Sequence, residues 1–425
     1  MATVRPLRGL RYAAAAGPLS ALLAPPYDVL SAEDRDRLAA RDPRNIVHVT
    51  LPRAPGAPGD ELAPYRAGAS TLDAWRRSGA LVRDERPALY RYVQRFTVPG
   101  TDDRRERVSL IALLRVEPYD RGVVLPHERT FPKHKADRRR LLEATRTHVE
   151  CIYGLYEDDA GEVQARVAAA PASCCVRATT EDGLEHALDV IDDPGVTAAL
   201  VEALGPRRVW IADGHHRYET ALAFREEVGA RAQPIAEDYV LMALGSMSDP
   251  GLVLLPTHRV LQSLPLAHEE IRARLSEHLA LSEVPAAELP GRLAAVRDPA
   301  RAFGVVLPGV AWLGAVRDVD RAVAALGDVG SLALRSLDVS ILHGLLLERA
   351  LGVQGLESIA YTRDAADALA RVAGGAAAAF LMNPPTVDDM RRIALGGERM
   401  PQKSTYYHPK ITSGLVLWAL ADLDG

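Results

Sequence analysis

Apolar and polar positions follow two periods along this chain, and the switches between them mark its elements. Alternating or continuous apolar runs rich in β-branched and aromatic residues predict strands at 45–51, 89–96, 108–116, 123–125, 151–156, 208–212, 239–247 and 252–255. The polar turn 99–103 joins the second and third of these as a hairpin. Tyr65, Ala69, Leu72 and Trp75 fall on one helical face that ends at Gly79, and basic residues cover a helix over about 136–147. Ala24-Pro25-Pro26-Tyr27-Asp28 reads as a stiff loop, followed by a short charged helix opened by a loose capping box at Ser31. Residues 55–59 read as a loop, and 160–205 as Ala-rich amphipathic segments without chemical signal. From about 265 helices and strands alternate to the C-terminus. That part is marked by 376–382, broken at Asn383-Pro384-Pro385, and by the polar stretch 400–410. The pattern predicts an α/β (α+β) protein.

Its 425 residues suit more than one domain and a substantial core. A composition of 48% hydrophobic and 25% charged residues is globular, which excludes disorder. A net charge of −5 offers no broad attraction to nucleic acid, so nucleic acid is not an expected partner. No apolar run is long enough to span a bilayer, and the N-terminus lacks the apolar core of a signal peptide. No membrane partner is expected. The three cysteines include an adjacent pair and form no CxxC, which argues against a zinc site or a disulfide framework. The expectation is a soluble cytoplasmic protein whose oligomeric state the sequence leaves open.

One count adds chemistry. Only four of the 51 Lys and Arg residues are Lys: Lys133, Lys135, Lys403 and Lys410. Arg serves an exposed face as well as Lys, whereas a compact ammonium on a flexible stem is favoured at phosphates. The four fall in two short segments, each beside a polar motif.

No P-loop, GxGxxG, GxSxG or HExxH motif is present. The strongest candidate is the junction Asp213-Gly214-His215-His216-Arg217, between an apolar strand and a helix. Gly214 permits a sharp turn, and the helix start offers unpaired N–H groups to an anion. His215, His216 and Arg217 add donors and positive charge. Asp213 would sit badly beside phosphate unless it caps the helix or holds a metal ion. A second constellation is Leu125-Pro126-His127-Glu128, with Lys133, Lys135 and Arg138 downstream. A Glu beside a His at a strand end can act as general base. The third is the stretch holding Lys403, Ser404, Thr405 and Lys410, and the segment with His258 and Arg259 is a further candidate.

The His127-Glu128 and Asp-Gly-His-His-Arg motifs resemble those of ParB/sulfiredoxin-like free-serine kinases. The whole chain, from Val4-Arg5-Pro6 through Ala24-Pro25-Pro26-Tyr27-Asp28-Val29 to Met400-Pro401-Gln402-Lys403-Ser404-Thr405-Tyr406, also resembles a large bacterial family catalogued as a domain of unknown function. The resemblance implies a ParB/sulfiredoxin-like core over 90–260 with an insertion near 160–205. An N-terminal segment (1–89) and a C-terminal α/β domain (261–425) would flank it. It further implies that Glu128 deprotonates a hydroxyl and that residues 213–217 hold nucleotide phosphates. The expected activity is phosphoryl transfer from ATP or ADP, with Mg²⁺, to a small hydroxy amino acid, foremost free L-serine. His127 is grouped with Glu128 as catalytic, and Asp213 is the candidate metal ligand. Two alternatives stand beside it: a metal-dependent hydrolase drawing on His127, Glu128, Asp213, His215 and His216, and a ParB-like nucleotide switch associated with DNA.

Overall fold

A computed structural model describes the chain except residues 55–58, 131, 230, 297–299, 356–358 and 424–425, so the loop expected at 55–59 lies almost wholly outside the described residues. The chain divides into two compact units. The first comprises Met1–Pro126, Thr130–Leu252 and Pro409–Gly425, and the second His127–Arg129 and Val253–His408. Strands and helices alternate in both, and the fold is α/β. Among the described residues, no helix is long and apolar enough to cross a membrane.

The first unit is built on a nine-stranded mixed sheet. Its order is Val124–Leu125, Val209–Asp213, Ile152–Tyr156, Tyr239–Ser246, Arg104–Arg115, Leu89–Thr97, Glu185–Ile191 and Cys174–Thr179. The short strand Val4–Arg5 pairs with Leu113 and Leu114. The expected hairpin is there, with Tyr90 opposite Ile111 and Thr97 opposite Arg104. Two pairings are parallel: Val209–Asp213 with Val124–Leu125, and Tyr239–Ser246 with Ile152–Tyr156. One sheet face buries Leu110, Ala112, Leu114 and Ile211 against Val163, Val167, Leu200, Leu204 and Tyr218 of three helices.

Two sequence expectations change. Residues 160–205, silent chemically, supply two strands of the sheet, Cys174–Thr179 and Glu185–Ile191, and two of the covering helices. The strand expected at 45–51 is a short helix, Val47–Thr50. Asn45 turns the chain there. Its amide donates to the Ala21 carbonyl (2.7 Å) and the Leu23 carbonyl (3.0 Å), while its oxygen accepts the Val47 N–H at 3.0 Å. Ile46, Val47 and Val49 are all buried, and an apolar run this short fits a helical turn as well as a strand.

The second unit holds a six-stranded antiparallel sheet ordered Leu279–Glu283, Val310–Val316, Ala302–Leu307, Ala378–Leu381, His258–Leu261 and Ile359–Thr362. Val260, Val306, Ala379 and Leu381 join Leu289, Ala368 and Val372 in its core. Arg259 lies on a central strand, and by strand alternation it points away from the face Val260 buries.

Candidate functional site

The strand Val209–Asp213 is buried along its whole length, so its last residue is delivered to a fixed place at the edge of the core. Gly214 then adopts φ +90°, a left-handed conformation that a β-carbon resists, and a β-carbon there would lie 3.1 Å from the Arg217 guanidinium. The helix His215–Val228 starts at once, and no side chain caps it. Its first N–H groups precede the helix's own hydrogen-bond ladder and carry the positive end of its dipole.

Asp213 is not the cap. One of its oxygens accepts from the Lys410 ammonium, and the other accepts from Arg217 Nη2 at 2.9 Å. Burial opposes the charge, yet Lys410 and then Arg217 hold the carboxyl down at about 2. The acidic residue that the sequence left awkward beside phosphate is therefore paired with two cations. Because the folded carboxyl titrates near 2 and a free one near 3.8, protonation favours the unfolded chain. Its contribution, roughly 2 kcal/mol, is complete above about pH 4 and is lost as pH falls toward 2. Denaturant melts across this range should lose about one proton's worth of slope in Asp213→Asn, and an unchanged slope contradicts the pairing.

Arg217 also donates to the Cys151 carbonyl, and Glu150, Asp213 and Asp28 favour its charge against burial. Glu150 is itself buried. It accepts from the Tyr27 N–H (3.0 Å), the Ser413 hydroxyl (3.1 Å) and Arg138 (3.5 Å). Arg138 stacks on the Tyr27 ring at 3.9 Å and donates to the Thr50 carbonyl and Asp137, so it braces the turn's surroundings. His216 meets His134 edge-on at 5.2 Å. Lys135 Nζ pairs with Glu219 at 3.0 Å, and Lys133 is exposed.

The remaining candidates belong to the second unit. There the segment His127–Arg129 lies along residues 400–405. The His127 carbonyl accepts the Met400 N–H at 2.7 Å, and the His127 ring meets the Thr405 hydroxyl at 2.7 Å. One Glu128 oxygen accepts the Lys403 N–H. His127 is fully buried, whereas Glu128 keeps partial exposure. Ser404 donates to the Pro401 carbonyl and lines a cavity of about 400 Å³, whose polar lining includes Arg301, Asp338, Asn383 and Asp389. His258 accepts the Met382 N–H through Nδ1 at 3.3 Å.

The DUF1015 family, described as proteins of unknown function, matches residues 4–340. The chain belongs to that family. Among solved structures, a free serine kinase variant in complex with ADP is similar at 14% identity and a TM-score of 0.38, covering 77% of this chain and 99% of that one. A conserved hypothetical protein from Pyrococcus furiosus is similar at 14% identity and a TM-score of 0.35, covering 74% of this chain and 97% of that one. SbnI with a C-terminal truncation, from Staphylococcus aureus, is similar at 12% identity and a TM-score of 0.36, over 74% and 90% of the two chains. No curated protein matches.

The structure thus gathers the motif residues into two groups. Asp213, Gly214, His215, His216, Arg217 and Lys410 belong to the first unit, together with Lys133, Lys135 and Arg138. His127, Glu128, Lys403, Ser404, Thr405, His258 and Arg259 belong to the second. Lys403 and Lys410, close in sequence, serve different units. Among the described residues, no three His, Cys, Asp or Glu side chains gather as metal ligands. Both Asp213 oxygens already accept from cations, so the residues at the turn do not fit a resident metal ion. Glu150 is a site residue that the sequence pattern does not mark. The nearest signal is the Ala24-Pro25-Pro26-Tyr27-Asp28 loop, which contributes the Tyr27 N–H to it.

Proposed function

We propose that this protein transfers the terminal phosphoryl group of ATP or ADP to the hydroxyl of a small amino acid, foremost free L-serine, giving O-phosphoserine. The observation that carries the reading is the uncapped helix start after Gly214, beside which the only motif carboxylate is neutralised by Lys410 and Arg217. That combination suits phosphate oxygens: the N–H groups of a helix start beside a carboxylate already paired with two cations.

In this reading the acceptor oxygen attacks the terminal phosphorus, and the bond to the nucleotide's bridging oxygen breaks. The nucleotide leaves with the electron pair. Glu128 takes the hydroxyl proton, its carboxylate oriented by the Lys403 N–H. Phosphoryl transfer is mostly positioning and charge neutralisation, which is what the turn supplies. Mg²⁺ enters as the counter-ion of the nucleotide's own phosphates.

Calorimetry with ATP and ADP tests the assignment. His216→Ala and Arg217→Ala should each weaken binding by about tenfold or more, the worth of one charge-assisted hydrogen bond. If folded His216→Ala and Arg217→Ala proteins bind both nucleotides as tightly as the parent, the turn is architectural.

A further inference from the structure

Arg259 is fully buried, and its guanidinium lies over the Tyr361 ring at 5.4 Å. Burying a guanidinium is costly unless its donors are satisfied. Its hydrogen bonds reach four segments of the second unit. Nε donates to His343 Nε2 at 2.9 Å, one terminal nitrogen donates to the Thr257 carbonyl and meets Met382 Sδ at 3.0 Å, and the other donates to the Lys403 carbonyl at 3.3 Å. Burial pushes Arg259 down to about 10, and the charges that oppose this come from Tyr361 and then Glu128. Burial and then Arg259 push His343 down to about 3, which keeps it the neutral acceptor that the Nε contact requires.

Lys403 is the other end of this chain of bonds. Among the described residues it is one of two non-glycine residues with positive φ, at +58°, a conformation that persists where the surroundings impose it. Its carbonyl is held by Arg259, and its N–H is given to Glu128. Its side chain is exposed, so the peptide and not the ammonium is what the fold grips. His343 stands on the π-helical segment Ile341–Ala350, a rare winding that often marks a functional place.

We propose that Arg259 and His343 are positioning residues that fix the Glu128 carboxylate through the Lys403 peptide. The catalytic consequence rests on the reading of Glu128 as base; the positioning itself does not. Arg259→Met fills the same space without the donors. It should release the Lys403 peptide and let the carboxylate wander.

Hydrogen exchange resolved at the Lys403 amide, measured on the full chain, reads this without any substrate. Arg259→Met should speed that amide by at least about tenfold while the amides of Tyr239–Ser246 keep their protection. His343→Leu should do the same, and His343→Gln, which keeps an acceptor near the place of Nε2, should restore the parental rate. Unchanged exchange at Lys403 in both Arg259→Met and His343→Leu overturns the proposal. So does uniform acceleration across the chain with no rescue by His343→Gln. Turnover gives the second arm: Arg259→Met should lower kcat by about 10–100-fold, with nucleotide affinity parental and no further loss on top of Glu128→Gln. A parental kcat in an Arg259→Met protein whose Lys403 amide has been freed overturns the catalytic part. If the parent itself phosphorylates no acceptor, the kinase reading fails, and the exchange measurements still decide the positioning.

Discussion

Replacing Glu128 with Gln should lower turnover by about 10²–10⁴ and leave nucleotide affinity nearly unchanged. A serine hydroxyl is a poor nucleophile near neutral pH, and a carboxylate that accepts its proton during attack supplies that range of acceleration. Gln keeps the size of Glu and can still accept the Lys403 N–H through its amide oxygen, so the local structure should survive. What it cannot do is take the proton. Single-turnover kinetics beside nucleotide titrations separate the outcomes. Near-parental turnover in Glu128→Gln would make Glu128 a structural acid that merely ties down the residue 403 peptide. Equal loss of turnover and nucleotide binding would make it part of the binding machinery instead.

Lys410→Met should weaken nucleotide binding by more than tenfold and destabilise the fold by about 3–5 kcal/mol, the usual cost of breaking a buried ion pair from one side. Lys410 and Asp213 are both about nine-tenths buried as side chains, so water cannot replace the lost partner. The carboxylate would then repel phosphate oxygens at the helix start, with Arg217 alone to offset it. Adding Asp213→Asn to Lys410→Met removes that stranded charge and should recover part of both losses. Calorimetry and thermal melts on the two single variants and the double variant read this coupling. Strict additivity of the two single effects would contradict it.

These predictions depend unequally on what a sequence reader can see. The 213–217 turn was legible because its signals are local: an apolar strand, a glycine where the backbone must turn left-handed, and a helix that follows directly. Glu128 was legible for the same reason, as an acid next to a His at a strand end. Lys410 was singled out by composition alone, and its partner Asp213 lies 197 positions away, a distance no local pattern bridges. The same limit hid Glu150, whose contacts to Tyr27 and Ser413 cross 123 and 263 positions. At 47–50 the failure was one of period, since three buried apolar residues in a short run suit either element. Over 160–205 two sheet strands leave little signal, because Ala-rich segments carry weak alternation. That Lys403 and Lys410 serve different units is a property of chain topology, which spacing along the sequence does not encode.

The most direct test of the central claim is to incubate the purified protein with ATP or ADP, Mg²⁺ and a panel of free hydroxy amino acids, and to read the products by mass spectrometry. The account predicts that free L-serine gains one phosphoryl group, the nucleotide loses one, and Glu128→Gln forms the product about 10²–10⁴ more slowly while still binding nucleotide. Nucleotide bound by the parent with no amino acid phosphorylated, or the same yield from Glu128→Gln as from the parent, would contradict it.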